Sequence, residues 1–113
     1  MKDEFGFSDG DVLVIRDWIF IYAGCKRSDF GNRILHAIMY HALMKIGGDH
    51  LTSININGPS PGIGYFEHNP KPRYATNTEI NNFLNFIESS NNNVKWDFKD
   101  KKFKSLKTYE YVC

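Results

Sequence analysis

Cysteine is scarce in this sequence: only Cys25 and Cys113 occur among 113 residues. Two cysteines make neither a disulfide framework nor a four-ligand zinc cluster, and so low a number is typical of a reducing compartment. The first residues, MKDEFGFSDGD, are acidic and lack the apolar segment of a secretory signal. The sequence therefore predicts a cytoplasmic protein.

Long apolar runs and an excess of charge of one sign are also missing. The longest apolar stretch, residues 12–24, is interrupted by Arg16 and Asp17 and is too short to span a bilayer. Fourteen Lys and Arg residues against thirteen Asp and Glu give a formal net charge of +1. Proteins that bind duplex nucleic acid usually carry a strong basic excess. We therefore expect neither a membrane nor a duplex nucleic acid as a partner.

Aromatic residues, in contrast, are abundant. They make up 15% of the chain, and they favour the half-buried surfaces of sheets. Hydrophobic residues at 42% and charged residues at 24% lie in the globular range. The length suits a single domain that spans residues 1–113.

The first apolar stretch, VLVIRDWIFIYAG, has the composition of strands. Two strands, about Val12–Arg16 and Trp18–Ala23, would fold at Arg16-Asp17. Because Arg-Asp is not a favoured hairpin turn, one long bent strand is the alternative. The polar GCKRSDFGNR that follows, residues 24–33, is predicted to be a loop.

Residues 34–46, ILHAIMYHALMKI, fit two structures. Their Leu, Ala, Met and His content, followed by Gly47-Gly48, is typical of a helix with a glycine cap. The stretch is apolar all round, however, and HLTSINI after it has strand composition. A hairpin hinged at Gly47–Asp49 is therefore the alternative.

The second half of the chain gives clearer signals. Thr76 and Glu79 have the spacing of a capping box at the start of a helix. Ile80, Phe83, Leu84 and Ile87 then recur with the period of one apolar helix face. After SSNNN, alternating apolar residues on either side of KDKK predict a terminal hairpin.

Residues 73–106 resemble the closing segment of small uncharacterised accessory proteins of gut Bacteroidetes and their phages and prophages. In those proteins Ala-Thr and an acidic residue precede a Phe/Leu helix, and a Trp-Asn/Asp pair precedes a Lys-bearing hairpin. The matching positions are Ala75, Thr76, Glu79, Phe83, Leu84, Ile87, Trp96, Asp97 and Lys102. The front half, DGDVLVIRDWIFIYAGC, resembles their opening strands, although Asn93–Lys95 depart from the usual Gly-Tyr before the Trp.

The resemblance implies an architecture and a phage context rather than a reaction. In the similar proteins the region matching residues 34–46 reads as sheet, so we predict a strand there. The predicted fold is α+β: a small, curved, barrel-like antiparallel sheet over residues 9–68, a helix over 77–90 and a terminal hairpin over 94–112. A phage-encoded protein of this kind would act in the cytoplasm of its host.

The glycine- and proline-rich stretch from Gly58 to Thr76 is not a phosphate-binding loop of a known type. It lacks the Lys-Ser or Lys-Thr pair of a Walker motif and the third glycine of a dinucleotide fingerprint. Its four prolines remove backbone donors that an anion would need. We interpret it as a connection, with ligand contact by the amides of Gly62–Gly64 as the alternative.

The sequence predicts no metal and no other cofactor. His36 and His41 are five residues apart, which places them on opposite faces of a strand. His50 and His68 have no partner at ligand spacing. Cys25 lies beside Lys26 and Arg27, which would lower the pKa of its thiol, but no nucleophile motif surrounds it.

Cationic and aromatic side chains that suit a phosphorylated ligand form the predicted binding set. We call it the cationic–aromatic set: Lys26, Arg27, Arg33, His36, Tyr40, His41, Tyr65 and Arg73. Arginines make bidentate contacts with phosphates, and aromatic rings stack on bases. Arg33 and Arg73 are the predicted phosphate ligands, Tyr40 or Tyr65 would stack on a base, and His36 or His41 would bind a sugar or phosphate oxygen.

Three functions agree with these residues. The first is a non-catalytic phage accessory protein that binds and sequesters a nucleotide-derived immune signal of the host. The second is a protein that inhibits a host defence effector, such as a nuclease or a CRISPR complex. The third is an enzyme that cleaves a nucleotide signal with His36 or His41 as acid or base. Because a small open sheet leaves apolar edges, we also expect a homo-oligomer, most simply a dimer with the ligand near its interface.

Overall fold

The structure, a computed structural model, describes residues 2–68, 70–90 and 92–105. In these residues the chain forms eight strands and one helix. The strands are β1 (Val12–Ile15), β2 (Trp18–Phe30), β3 (Arg33–Lys45), β4 (Ser53–Ile54), β5 (Ser60–Tyr65), β6 (Arg73–Tyr74), β7 (Val94–Asp97) and β8 (Lys102–Ser105). The helix, α1 (Asn77–Ser89), lies between β6 and β7.

Six strands form one antiparallel sheet. Their order is β4-β3-β2-β1-β6, and β5 pairs with another part of β3. The α+β prediction of an antiparallel sheet with one helix and a final hairpin is therefore confirmed in outline. The predicted barrel-like closure is wrong, because in the described chain the two-residue β6 pairs only with β1 and the opposite edge strands pair only with β3.

The first two strands form a hairpin, as predicted, rather than one bent strand. Ile15 faces Trp18 across the turn, and Val12 faces Ile21 at the other end. Arg16 takes the left-handed conformation that such a turn needs, with φ of 54°. Four-residue β1 is buried throughout its length, so the apolar contacts of the strands compensate for an unfavourable turn residue.

The predicted loop over residues 24–33 is wrong. Strand β2 continues to Phe30, and only Gly31 and Asn32 form the turn to β3. Strand β3 runs through residues 34–45, so the strand prediction for this region is confirmed and the helix is excluded. The distal half of this hairpin, residues 24–37, is called the arm below. Its polar residues looked like a loop because most of them are exposed on a two-stranded ribbon.

Two irregularities in the β2–β3 pairing change the direction of side chains. The register shifts between Phe20 and Tyr22 and again between Tyr22 and Cys25. Gly24 lies at the second shift with φ of +83°, a conformation that side chains other than glycine's rarely adopt. The arm therefore begins at a bulge.

The helix agrees with its sequence signals. The Thr76 hydroxyl accepts a hydrogen bond from the backbone N–H of Glu79, and the Glu79 carboxylate accepts one from the backbone N–H of Thr76. Phe83 and Ile87 are buried, and Ile80 and Leu84 pack against the same core. The predicted capping box and apolar face are confirmed.

The sheet separates two apolar clusters. One packs beneath the helix and the terminal hairpin, and it consists of Val12, Val14, Ile19, Ile21, Ala42, Met44, Phe83, Ile87 and Trp96. The other lies on the opposite face and consists of Phe7, Leu13, Ile15, Phe20, Tyr22, Ile38, Tyr40 and Leu43. The N-terminal residues cover the second cluster, and the Tyr22 hydroxyl donates a hydrogen bond to the Asp3 carboxylate.

The terminal hairpin is confirmed where the structure describes it. Val94 faces Ser105 and Asp97 faces Lys102 in the antiparallel pair of β7 and β8. Its predicted continuation over 106–112 lies outside the described residues. The helix in the described part of the chain is too short and too polar to cross a membrane.

Candidate functional site

The structure does not gather the cationic–aromatic set into one place. On the arm, Arg27 faces His36 and Lys26 faces Ala37, so that Arg27 and Lys26 point to opposite faces of the sheet. Tyr65 faces Ala37 from β5 and lies on the same face as Lys26. The set is therefore divided between two faces.

Arg73 lies at the other edge of the sheet. Strands β1 and β2 separate β6 from β3, a distance of about 14 Å at the usual spacing of strands. Its guanidinium donates two hydrogen bonds of 2.9 Å to the two oxygens of Glu79. This bidentate contact, together with the Thr76 backbone N–H, lowers the pKa of Glu79 to about 2. Arg73 supports the helix cap and does not join the other members of the set.

Tyr40 is part of the core. Its side chain belongs to the cluster beneath the N-terminal residues, and only 8% of the residue is exposed. Gly62 lies against the ring, since a Cβ at that glycine would come within 3.5 Å of the Tyr40 hydroxyl. One glycine of the Gly58–Thr76 stretch therefore serves packing, and the Tyr40 ring is not available to stack on a ligand.

His41 connects three parts of the fold. Its Nε2 lies 2.9 Å from the Asp9 carboxylate, and its ring lies 4.8 Å from the Trp96 ring. It therefore points toward the helix and the terminal hairpin, whereas Tyr40 and His36 lie on the other face. The predicted placement of His36 and His41 on opposite faces is confirmed. A partner on each side gives His41 a structural role.

His36 is held by a single carboxylate in two ways. Glu67 accepts a hydrogen bond from the His36 backbone N–H at 2.9 Å, and its other oxygen lies 2.6 Å from Nδ1 of the imidazole. Because an ionised carboxylate only accepts, Nδ1 carries the proton. Nε2 has no hydrogen-bond partner among the described residues. The arrangement fixes the ring and leaves one nitrogen able to bind a ligand.

The charge of Glu67 follows from this contact. Partial burial by itself raises the pKa of the carboxyl, but the hydrogen bonds from the His36 side chain and backbone lower it by more, and the net pKa is about 2. Glu67 is therefore ionised at neutral pH. Its carboxylate attracts hydrogen-bond donors and repels bare anions.

A surface depression adjoins His36. Phe5, Phe66, Glu67 and Lys71 line it, and its volume is about 390 Å³. The Phe5 and Phe66 rings stack with centroids 4.0 Å apart and planes only 3° apart, and the Phe5 and His36 rings meet edge to face with centroids 5.2 Å apart. The Phe66 backbone N–H donates to the His36 carbonyl, which fixes the depression to β3. We call this group the His36 site.

Tyr65 and His68, which flank Phe66 and Glu67 in the chain, lie on the other face of the arm. His68 Nε2 accepts a hydrogen bond of 3.0 Å from the Arg33 guanidinium, and the His68 ring meets Tyr65 edge to face at 5.9 Å. Residues 65–68 thus bring Arg33, His36 and Tyr65 to one edge of β3, although on different faces. These are the members of the set that the structure places together.

Sequence reasoning missed Phe5, Phe66, Glu67 and Lys71. Phe5 arrives from the N-terminus and Lys71 from the proline-rich connection, so no local spacing relates them to His36. The sequence also suggested that Lys26 and Arg27 lower the pKa of the Cys25 thiol. In the structure, burial and then the acidic Asp3, Glu4 and Glu67 raise that pKa, and Cys25 stays a protonated thiol.

A second cavity lies between the helix and the sheet. It has a volume of about 140 Å³, and Ile19, Met44, Phe83 and Phe86 contribute to its mostly apolar lining. Its one carboxylate, Glu79, is already bound by Arg73 and Thr76. Of these two, the His36 site has the larger volume and the polar groups with free hydrogen-bonding capacity, so it is the better candidate for a ligand.

Comparisons with protein-family models, curated proteins and solved structures give no match to this chain. The resemblance of residues 73–106 to phage-associated proteins therefore stays a prediction.

Proposed function

We propose that this protein binds a small nucleotide-like ligand at the His36 site and releases it chemically unchanged. The observation that carries the proposal is the depression lined by a stacked Phe pair, a carboxylate and an ammonium group. A nucleotide offers a flat ring, amino or imino donors and a phosphate, and each has a matching group here. Stacking of a base on an aromatic side chain contributes about 1–3 kcal/mol.

Glu67 decides which ligand fits. An ionised carboxylate in the depression disfavours a plain polyphosphate, because like charges repel at short range. It favours a base that carries an amino group, which donates to the carboxylate while the ring packs on Phe66. Lys71 then meets the phosphate, and Nε2 of His36 binds a sugar hydroxyl. We therefore propose an amino-bearing nucleotide as the ligand class.

One cation of the arm, Arg27, lies on the same face as His36. Arg27 faces His36 from the neighbouring strand, and its side chain is 62% exposed. An exposed arginine beside a binding site attracts an anionic ligand at long range and contributes little fixed contact energy. With the resemblance to phage proteins, this supports the proposal that the bound molecule is a nucleotide-derived signal of the host, which the protein sequesters.

Calorimetric titration with AMP, ADP-ribose, cyclic dinucleotides and pyrophosphate tests the ligand class. We expect at least one adenine- or guanine-bearing ligand to bind and pyrophosphate to fail. A ligand at 100 times its dissociation constant should also stabilise the fold by about 2.7 kcal/mol in a thermal scan. Binding of pyrophosphate alone, or of none of these compounds, contradicts the proposal.

The Lys71→Met variant tests the phosphate contact. Loss of a charge-assisted contact should weaken binding by about 10- to 150-fold. Lys102→Met is the matched control, since Lys102 is an exposed lysine on the terminal hairpin, outside the His36 site. Equal affinities of the two variants would place the phosphate elsewhere.

Catalysis is the second candidate function, and one observation favours it. Nδ1 of His36 is held by Glu67 while Nε2 has no partner in the described chain, which is the arrangement of an oriented general base. Recovery of the ligand after heat denaturation, followed by chromatography, separates the two functions. An intact ligand supports binding alone. Cleaved ligand recovered from the wild type, but not from His36→Gln, would establish that the protein is an enzyme.

A further inference from the structure

Among the residues that the structure describes, the outer edge of the arm is a sheet edge without a partner strand. Strand β1 covers β2 only from Trp18 to Ile21, and Gly10 and Asp11 extend that pairing to Tyr22. In the chain as described, no strand pairs with the outer side of residues 25–30. Unpaired backbone groups on such an edge are a template for another strand.

The hydrogen bonds of His36 show which backbone groups point outward. Its carbonyl accepts from Phe66 and its N–H donates to Glu67, so both groups point away from β2. His36 and Arg27 are therefore a non-hydrogen-bonded pair of the β2–β3 ladder. It follows that the N–H and C=O of Arg27 point to the free edge, and by alternation so do those of Asp29.

The side chains along this edge are complementary to themselves. The sequence Lys26-Arg27-Ser28-Asp29-Phe30, placed antiparallel to a copy of itself about Ser28, brings each Arg27 opposite an Asp29. These are also the residues whose backbone groups point outward, so each such pair would be hydrogen-bonded. Within one chain the two side chains are only 3.4 Å apart at their closest atoms yet 62% and 68% exposed. The charges of Arg27 and Asp29 and the outward direction of their backbone groups thus favour the same register.

We propose that two copies of this chain pair through residues 25–30 of β2, antiparallel and with Ser28 facing Ser28. The pairing creates a two-fold symmetric sheet that continues from one copy to the other, with two Arg27–Asp29 pairs between copies. It also places the exposed Phe30 opposite the aliphatic stem of Lys26. The proposal does not depend on the ligand of the His36 site.

Charge reversal tests the register. In sedimentation equilibrium we expect a wild-type dimer and a roughly 10- to 100-fold weaker dimer for Arg27→Asp and for Asp29→Arg, because each puts like charges opposite each other twice. The double variant Arg27→Asp/Asp29→Arg exchanges the charges and should restore the wild-type affinity. A wild-type monomer at about 100 µM, or single variants that dimerise like the wild type, would overturn the proposal.

A disulfide test remains decisive if a charge variant fails to fold. In a Cys25→Ser/Cys113→Ser background, Ser28→Cys should form an intermolecular disulfide, since facing residues of a non-hydrogen-bonded pair have Cα atoms about 4.5 Å apart. Lys26→Cys is the control: the same register separates its two Cα atoms by about 14 Å, too far for a disulfide. If both variants cross-link equally, or if neither cross-links, the proposed register is wrong. The edge would then bind a different protein.

Discussion

Glu67 is the residue on which the His36 site depends. It fixes the backbone and the ring of His36 at once, and its negative charge would select the proposed ligand. A neutral amide at this position keeps the size of the side chain but loses the strong contact to the imidazole. The ionisation of this one carboxyl therefore couples the stability of the site to pH.

We expect Glu67→Gln to lower the stability of the fold at neutral pH but not near pH 2. The folded pKa of Glu67, about 2, lies below its ordinary value of 4.5, so the ionised carboxylate stabilises the folded protein above pH 4.5. That contribution is lost as the pH falls through about 2. Urea unfolding at several pH values should show the difference between wild type and variant shrinking toward pH 2.

Glu88→Gln is the matched control for this experiment. Glu88 is an exposed glutamate near the end of the helix, away from His36. Its substitution should change stability little at any pH. If Glu67→Gln behaves like this control, the contact between Glu67 and His36 does not stabilise the folded protein.

At the scale of elements, the helix depends on its N-terminal cap. Thr76, Glu79 and Arg73 form one connected group in which the hydroxyl, the carboxylate and the guanidinium each satisfy another member. The group ties the start of the helix to β6, the last strand at one edge of the sheet. The cap therefore stabilises the junction as well as the helix.

Thr76→Ala should cost about 1 kcal/mol of folding free energy, or about 4 °C in melting temperature. The reason is that the N–H of Glu79 loses its acceptor. Thr78→Ala removes a hydroxyl from an exposed position of the first turn and serves as the control. Calorimetry that finds both variants equally stable would rule out the energetic role of the cap.

The elements differ in how far they could be predicted from the sequence. The helix was predictable because its cap, period and end are encoded within fourteen consecutive positions, Thr76 to Ser89. The arm was not, because Lys26, Arg27 and Asp29 are exposed and look like loop residues. Register and bulges bring His36 to Glu67, a contact over 31 positions of sequence that no local pattern reveals. Of the candidate site, only His36 was accordingly predicted, because Arg33 and Tyr65 lie on the other face of the arm.

At the scale of the whole molecule, the arm lies largely outside the two apolar clusters of the fold. Both apolar clusters lie outside the arm, and Leu35 is the one buried hydrophobic residue that the arm contributes. The arm carries instead His36, Arg27 and the free edge. A hairpin that extends beyond its own core is stabilised mainly by the strands that it pairs with.

Replacing residues 27–36 by Asn-Gly should give a folded protein that has lost both proposed interactions. Lys26 and Ala37 form a hydrogen-bonded pair by the alternation derived from His36, and a two-residue turn closes such a pair without strain. We expect a cooperative urea transition, a monomer in sedimentation and no nucleotide binding by calorimetry. A variant that unfolds would show that the arm belongs to the folding unit. A folded variant that still dimerises or binds would place that interaction on the body of the protein.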